Sequence, residues 1–138
     1  MIKEKKIKYE YFTKKLNFEK DDLIKLDSLG HLVGLHTHSH PTLLEALSYD
    51  EQKNEYEECL STISNILNKS RNEINCMAHP CGSYNNDTLE ILKKLGIDLG
   101  FKQIMTIEPK KGMKKINNSL LEIAREDCAQ IQKRINFF

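Results

Sequence analysis

Apolar residues recur near helical spacing from Asn17 to Leu29, at Phe18, Leu23, Leu26 and Leu29, and Gly30 follows where a helix stops in a left-handed residue. This predicts a helix. His31-Leu32-Val33-Gly34-Leu35 is then a short apolar run, which predicts a buried strand. Ser48-Tyr49-Asp50-Glu51 is a capping box, Ser at the cap and Glu three residues on. It opens a stretch in which Tyr56, Cys59, Leu60, Ile63, Ile66 and Leu67 form one apolar stripe, the surest helix of the chain. Ile74 to Ala78 is a second apolar run, stopped by Pro80 and Gly82, and predicts another core strand. A further helix starts at Asn86-Asp87-Thr88-Leu89-Glu90, with Leu89, Leu92 and Leu95 inward and Gly96 after its end. Strands are expected around Leu99 to Met105 and Leu120 to Ala124. Helix and strand signals that alternate in this way, without repeats or a linker, argue an α/β fold with a parallel sheet and covering helices.

Composition narrows the classes. At 138 residues and 16.0 kDa, one domain fits and a second complete one does not. Hydrophobic residues at 39% and charged residues at 30% are ordinary for a globular chain. The uncharged stretch from His31 to Leu44 is interrupted by His and Thr, so no membrane span is expected. A net charge of +1 gives no global field, and no Lys/Arg stripe is interleaved with aromatics, which argues against nucleic acid as a partner. The basic run Lys3, Lys5, Lys6, Lys8, Lys14, Lys15 and Lys20 reads as a solvated surface. No apolar stretch of signal-peptide type follows Met1, so a cytoplasmic chain is the expectation. Cys59, Cys76, Cys81 and Cys128 form no C-x-x-C pair and are expected as reduced thiols.

The densest chemistry lies in Gly34-Leu35-His36-Thr37-His38-Ser39-His40-Pro41, three imidazoles in five residues at the C-terminal end of a predicted strand. Sites of α/β folds gather at such ends. His36 and His40 can turn toward one divalent ion if the chain turns between them, and Pro41 biases His40 away from helical angles. The hydroxyls of Thr37 and Ser39 are candidate partners that would orient the rings. Three other readings stay open: an exposed His loop that binds metal adventitiously, an H-x-H pair of His36 and His38 as in cupin-like or amidohydrolase-like sites, and a zinc knuckle of Cys76, His79 and Cys81.

The stretch Gly30 to Leu43 resembles the second motif of the polysaccharide deacetylase (NodB-homology) family, H-[ST]-x-x-H after a strand, with His36 and His40 on the two metal-binding histidines and Thr37 on the hydroxyl position. Downstream, Met77-Ala78-His79-Pro80-Cys81-Gly82-Ser83-Tyr84-Asn85 resembles the third motif, R-x-P-Y-G or its aromatic-Pro-Tyr-Gly-x-Tyr-Asn variant. The turn Pro80, Cys81, Gly82 then takes the oxyanion side, with a backbone N–H as donor. Leu121 to Asp127 is similar to the family's late strand, which makes Arg125 and Asp127 further candidates. The resemblance implies an incomplete or distorted (β/α) barrel formed by residues 1–138 as one partial domain. It also implies a divalent metal, zinc in type, held by one Asp and two His, with a second Asp as base and a late His as acid. A carbohydrate is the expected substrate, and the expected reaction is hydrolytic removal of acetyl groups from N-acetylated sugars.

Departures from the pattern are as informative. No T-x-D-D-G strand precedes the first predicted helix, so the first core strand is expected to be missing. Asp21-Asp22, the only Asp pair, falls within a helical pattern and reads as solvent-facing charge. Ala78 stands at the family's Arg position, and no histidine follows His79. The chain is therefore expected to be either the C-terminal two-thirds of a deacetylase domain or a divergent relative that has become a catalytically dead carbohydrate- or partner-binding module. A missing central strand leaves edge groups unpaired, which predicts homo-oligomers.

Overall fold

The computed structural model describes residues 17–107, 109, 115–126 and 128–135. The basic run from Lys3 to Lys15 and the candidate Asp127 lie outside them. Among the described residues, four helices and two strands follow in the order α1 (Lys20–Ser28), α2 (Tyr49–Leu67), β1 (Cys76–Ala78), α3 (Asn86–Lys94), β2 (Leu99–Phe101) and α4 (Cys128–Ile135), with short 3-10 turns between them. Strands β1 and β2 pair in parallel, Cys76 beside Leu99 and Ala78 beside Phe101. Two single bridges widen this sheet, Leu35 to Met77 on one side and Phe101 to Ile123 on the other, both parallel. Four segments thus lie side by side in chain order, each parallel to the next.

Local chemistry explains the helix limits. The Ser48 hydroxyl accepts from the Glu51 N–H, and the Glu51 carboxylate accepts from the Ser48 N–H, so two end groups of α2 satisfy each other. Asn85 and Thr88 do the same at the start of α3. Asp22 accepts from the Glu19 N–H at the start of α1, and Asp21 and Asp22 are exposed, as helix charge should be. Gly30 and Gly96 take left-handed angles, φ 86° and 78°, just past α1 and α3.

The core gathers Leu35, Leu44, Tyr56, Leu60, Met77 and Leu92 with their neighbours between the sheet and the helices α2 and α3. Two polar residues join it: Gln52 of α2 donates to the Leu47 carbonyl and accepts from the Thr88 hydroxyl of α3, which leaves neither end of that amide unpaired. The sheet segments approach very closely at two glycines. A Cβ on Gly34 would stand 2.7 Å from the Cys76 carbonyl oxygen, and one on Gly100 would stand 2.5 Å from that of Leu121.

Several expectations are corrected. Residues 31–34 form no strand; only Leu35 bridges, and Leu32 is 85% exposed. Among the described residues no strand lies beyond Leu35, so no described segment pairs the outer side of the run. The expected strand Leu120 to Ala124 is a 3-10 turn, Leu120–Glu122, followed by the single bridge at Ile123. Strand β2 ends at Phe101 rather than running on to Met105; its last ladder bond is Lys102 N–H to Ile123 O, and the buried Lys102 ammonium donates to the Ile116 carbonyl. No residue of α1 is buried, and Phe18 and Leu29 are exposed despite their helical spacing. Helix α4 carried no sequence expectation. Among the described residues no helix is long and apolar enough to cross a membrane.

Candidate functional site

The histidine loop leaves the sheet edge at Leu35, whose N–H donates to the Cys76 carbonyl while its own carbonyl accepts from the Ala78 N–H. The next residue, His36, donates from ring Nδ1 to the Ala78 carbonyl at 2.8 Å. A carbonyl only accepts, so Nδ1 carries a proton, and in the neutral ring the lone pair lies on Nε2, the tautomer a metal-ligating imidazole needs. The chain then turns through two left-handed residues, Thr37 at φ 64° and His40 at φ 57°. Neither is glycine, and each such residue costs about 1–3 kcal/mol, a strain that persists only where its surroundings impose it. The turn carries the His40 ring back to the His36 ring: their centroids are 4.9 Å apart at an interplanar angle of 62°. Both residues are exposed, so this pair opens to solvent.

The remaining loop residues are used differently from the sequence expectation. The Thr37 hydroxyl donates to the His36 carbonyl, and the Ser39 hydroxyl donates to Glu55, so neither orients a ring. That task falls to the Ala78 carbonyl. His38 turns to α2, where its Nε2 stands 3.5 Å from the Glu58 carboxylate. This geometry separates it from the His36–His40 contact and disfavours the H-x-H pairing.

The second motif lies beside the first. Pro80, Cys81 and Gly82 form a tight turn directly after β1, with Cys81 at φ 51° and ψ 16° and Gly82 at φ 68°. Its own hydrogen bonds run from Gly82 N–H to His79 O and from Ser83 N–H to Pro80 O, and use no donor from Cys81. A cleft of about 260 Å³ is lined by Thr42 and Leu43 from the histidine loop and by Cys81, Gly82 and Gln103. The turn is fixed from below. His79 is buried, stacks on Tyr84 with ring centroids 4.2 Å apart, and donates from Nε2 to the Leu121 carbonyl at 2.8 Å. Tyr84 donates to the buried Glu122, which also accepts from the Ser119 hydroxyl.

The zinc knuckle is corrected too: Cys76, half-buried beside Gly34, His79, which donates from Nε2 to the Leu121 carbonyl, and the exposed Cys81 do not converge as a group of three among the described residues. All four cysteines are free. Burial pushes the Cys59 thiol up in pKa, with the His36 amide as a smaller opposing influence, and burial likewise raises Cys76. Arg125 is exposed beyond the Ile123 bridge. Among the described residues no group of three or more His, Cys, Asp or Glu side chains converges as a complete metal site. The donor chemistry of His36 and His40 fits two ligands of a divalent ion, and no third joins them among the described residues.

Sequence reasoning missed Glu55, which accepts hydrogen bonds from the backbone of His38 and Ser39. The partners lie 17 and 16 positions away, and nothing in the Glu-rich stretch around it marks one carboxylate over the next.

The sequence model of polysaccharide deacetylase matches residues 1–100 of this chain. The chain belongs to the polysaccharide deacetylase family. A Streptococcus pyogenes deacetylase, PplD, solved in complex with acetate, is similar in structure, with a TM-score of 0.66 and 25% sequence identity. The match covers 80% of this chain but 45% of PplD, so the chain spans less than half the length of that protein. The mixed helix and strand architecture agrees with that likeness. No curated protein matches.

Proposed function

We propose that this chain carries the imidazole half of a divalent-metal site, zinc in type, in a hydrolase that removes acetyl groups from N-acetylated sugars or polysaccharide. The observation that supports it most is the His36–His40 ring contact, with Nδ1 of His36 committed to the Ala78 carbonyl. His36 and His40 would hold the ion through ring nitrogens. When bound, such an ion supplies a Lewis acid for the amide carbonyl. The chain's own part is positional. The Pro80-Cys81-Gly82 turn presents a backbone N–H that the turn does not itself use, suited to a developing oxyanion, and the adjoining cleft receives the acetamido group. Arg125 and Asp127, carried over from the late motif, remain the candidates for further polar roles.

A second reading has its own support. Because no carboxylate joins the two imidazoles among the described residues, a catalytically dead carbohydrate-binding module of the same fold is the alternative. One assay separates them. The chain, loaded with one equivalent of zinc and incubated with an N-acetylglucosamine oligomer, is expected to release acetate and free amine in equal amounts, and to stop on chelation. Zinc uptake and sugar binding without acetate release would select the binding module. Failure to take up zinc would overturn both the metal site and the hydrolase.

A further inference from the structure

Glu55 lies on α2 and reaches across to the histidine loop. Its Oε2 accepts from the His38 N–H at 2.9 Å and the Ser39 N–H at 2.8 Å, and its Oε1 accepts from the Ser39 hydroxyl at 2.6 Å. One helical turn further on, Cys59 presents its sulfur to the His36 amide. Helix α2 therefore grips the loop at His36, His38 and Ser39, the residues that lead into and lie between the two facing rings. The grip brackets Thr37 and ends one residue before His40, the two non-glycine residues of the loop at positive φ. Bonds to an ionised carboxylate are roughly twice as strong as neutral ones, so Glu55 is the strongest of these ties. Burial raises the Glu55 carboxyl, but the Ser39 and His38 bonds outweigh it and hold the group below the ordinary glutamate range, charged at neutral pH.

We propose that Glu55 is a positioning residue: by anchoring the His38–Ser39 backbone to α2 it sets the separation at which His36 and His40 face each other. The metal-binding consequence rests on the reading given above; the effect on loop geometry does not. The test therefore has two arms, run on the full chain. In the metal-free protein, the nuclear Overhauser contact between the His36 and His40 ring protons is expected in the wild type, lost in Glu55→Ala and retained in Glu55→Gln, whose carbonyl still accepts from both amides. In titrations with cobalt(II), Glu55→Ala is expected to bind about 10–100-fold more weakly, the range for partners that orient a ligand, and Glu55→Gln to recover most of the loss. A merely structural role would lower the melting temperature of Glu55→Ala and leave the affinity of its folded fraction unchanged.

A ring contact that persists in Glu55→Ala, or that is missing in the wild type, would overturn the proposal. If the contact follows Glu55 but no variant binds cobalt, the anchor stands and the metal reading fails. Should Glu55→Ala not fold, Ser39→Ala removes the hydroxyl arm alone. It is expected to weaken the ring contact and binding less than Glu55→Ala would, and wild-type behaviour would again overturn the proposal.

Discussion

Alanine at either His36 or His40 is expected to abolish divalent metal binding, with affinity falling by more than the roughly 100-fold that loss of an outer partner costs at most. The two rings are 4.9 Å apart, and removing either leaves a single imidazole on an exposed loop, which is no better than any surface histidine. His38→Ala should leave binding intact, because that ring is turned to Glu58 on α2 rather than to its two neighbours. Isothermal titration with zinc or cobalt(II) reads all three variants. A loss at His38 equal to that at His40 would transfer the site to an H-x-H pair.

The largest loss of stability is expected from Gly100→Ala. A Cβ there would meet Leu121 at 2.5 Å from its carbonyl oxygen and 2.9 Å from its carbonyl carbon and Cα. These are backbone atoms, so no rotamer change relieves the clash. The only relief is to push β2 away from the segment that follows, which breaks the Ile123 N–H to Gly100 O and Lys102 N–H to Ile123 O bonds, each 2.8 Å. The cost should reach the top of the overpacking range, about 3 kcal/mol. At roughly 2–4 °C per kcal/mol, thermal denaturation should show a fall on the order of 10 °C. A fall near 1 °C would mean that the two segments are not in such close contact.

How much of this was legible from the chain follows from how local each determinant is. The Ser48–Glu51 box is complete within four residues, and α2 starts at Tyr49 as the box requires. Gly30 and Gly96 stop their helices for equally local reasons. Strands are different, because a ladder needs partners from elsewhere. Leu32 and Val33 have the composition of a strand and no described neighbour on the outer side, while Leu120 to Glu122 curl into a turn before a single bridge at Ile123.

The same distinction divides the site. His36, His40 and the Pro80–Gly82 turn carry recognisable spacing, and the fold ties the His36 ring to the Ala78 carbonyl at the end of β1, two residues before that turn. The groups that hold them could not be read in advance. Glu55 is one of several glutamates on its helix, and the Tyr84–Glu122 bond joins residues 38 apart. Thr37 and Ser39 adjoin the histidines and so suggest ring partners, yet the Thr37 hydroxyl bonds the His36 carbonyl and the Ser39 hydroxyl bonds Glu55. Proximity in sequence was a poor guide where the backbone reverses.

X-ray absorption at the zinc edge, on the full chain loaded with one equivalent of zinc, reads the proposed pair most directly. Scattering from two imidazole rings is predicted, with ring nitrogens at about 2.0–2.1 Å from the zinc, and the His40→Ala sample, which should not retain the ion, should lose that signal altogether. A spectrum with only oxygen neighbours, or one unchanged by that substitution, would contradict the account.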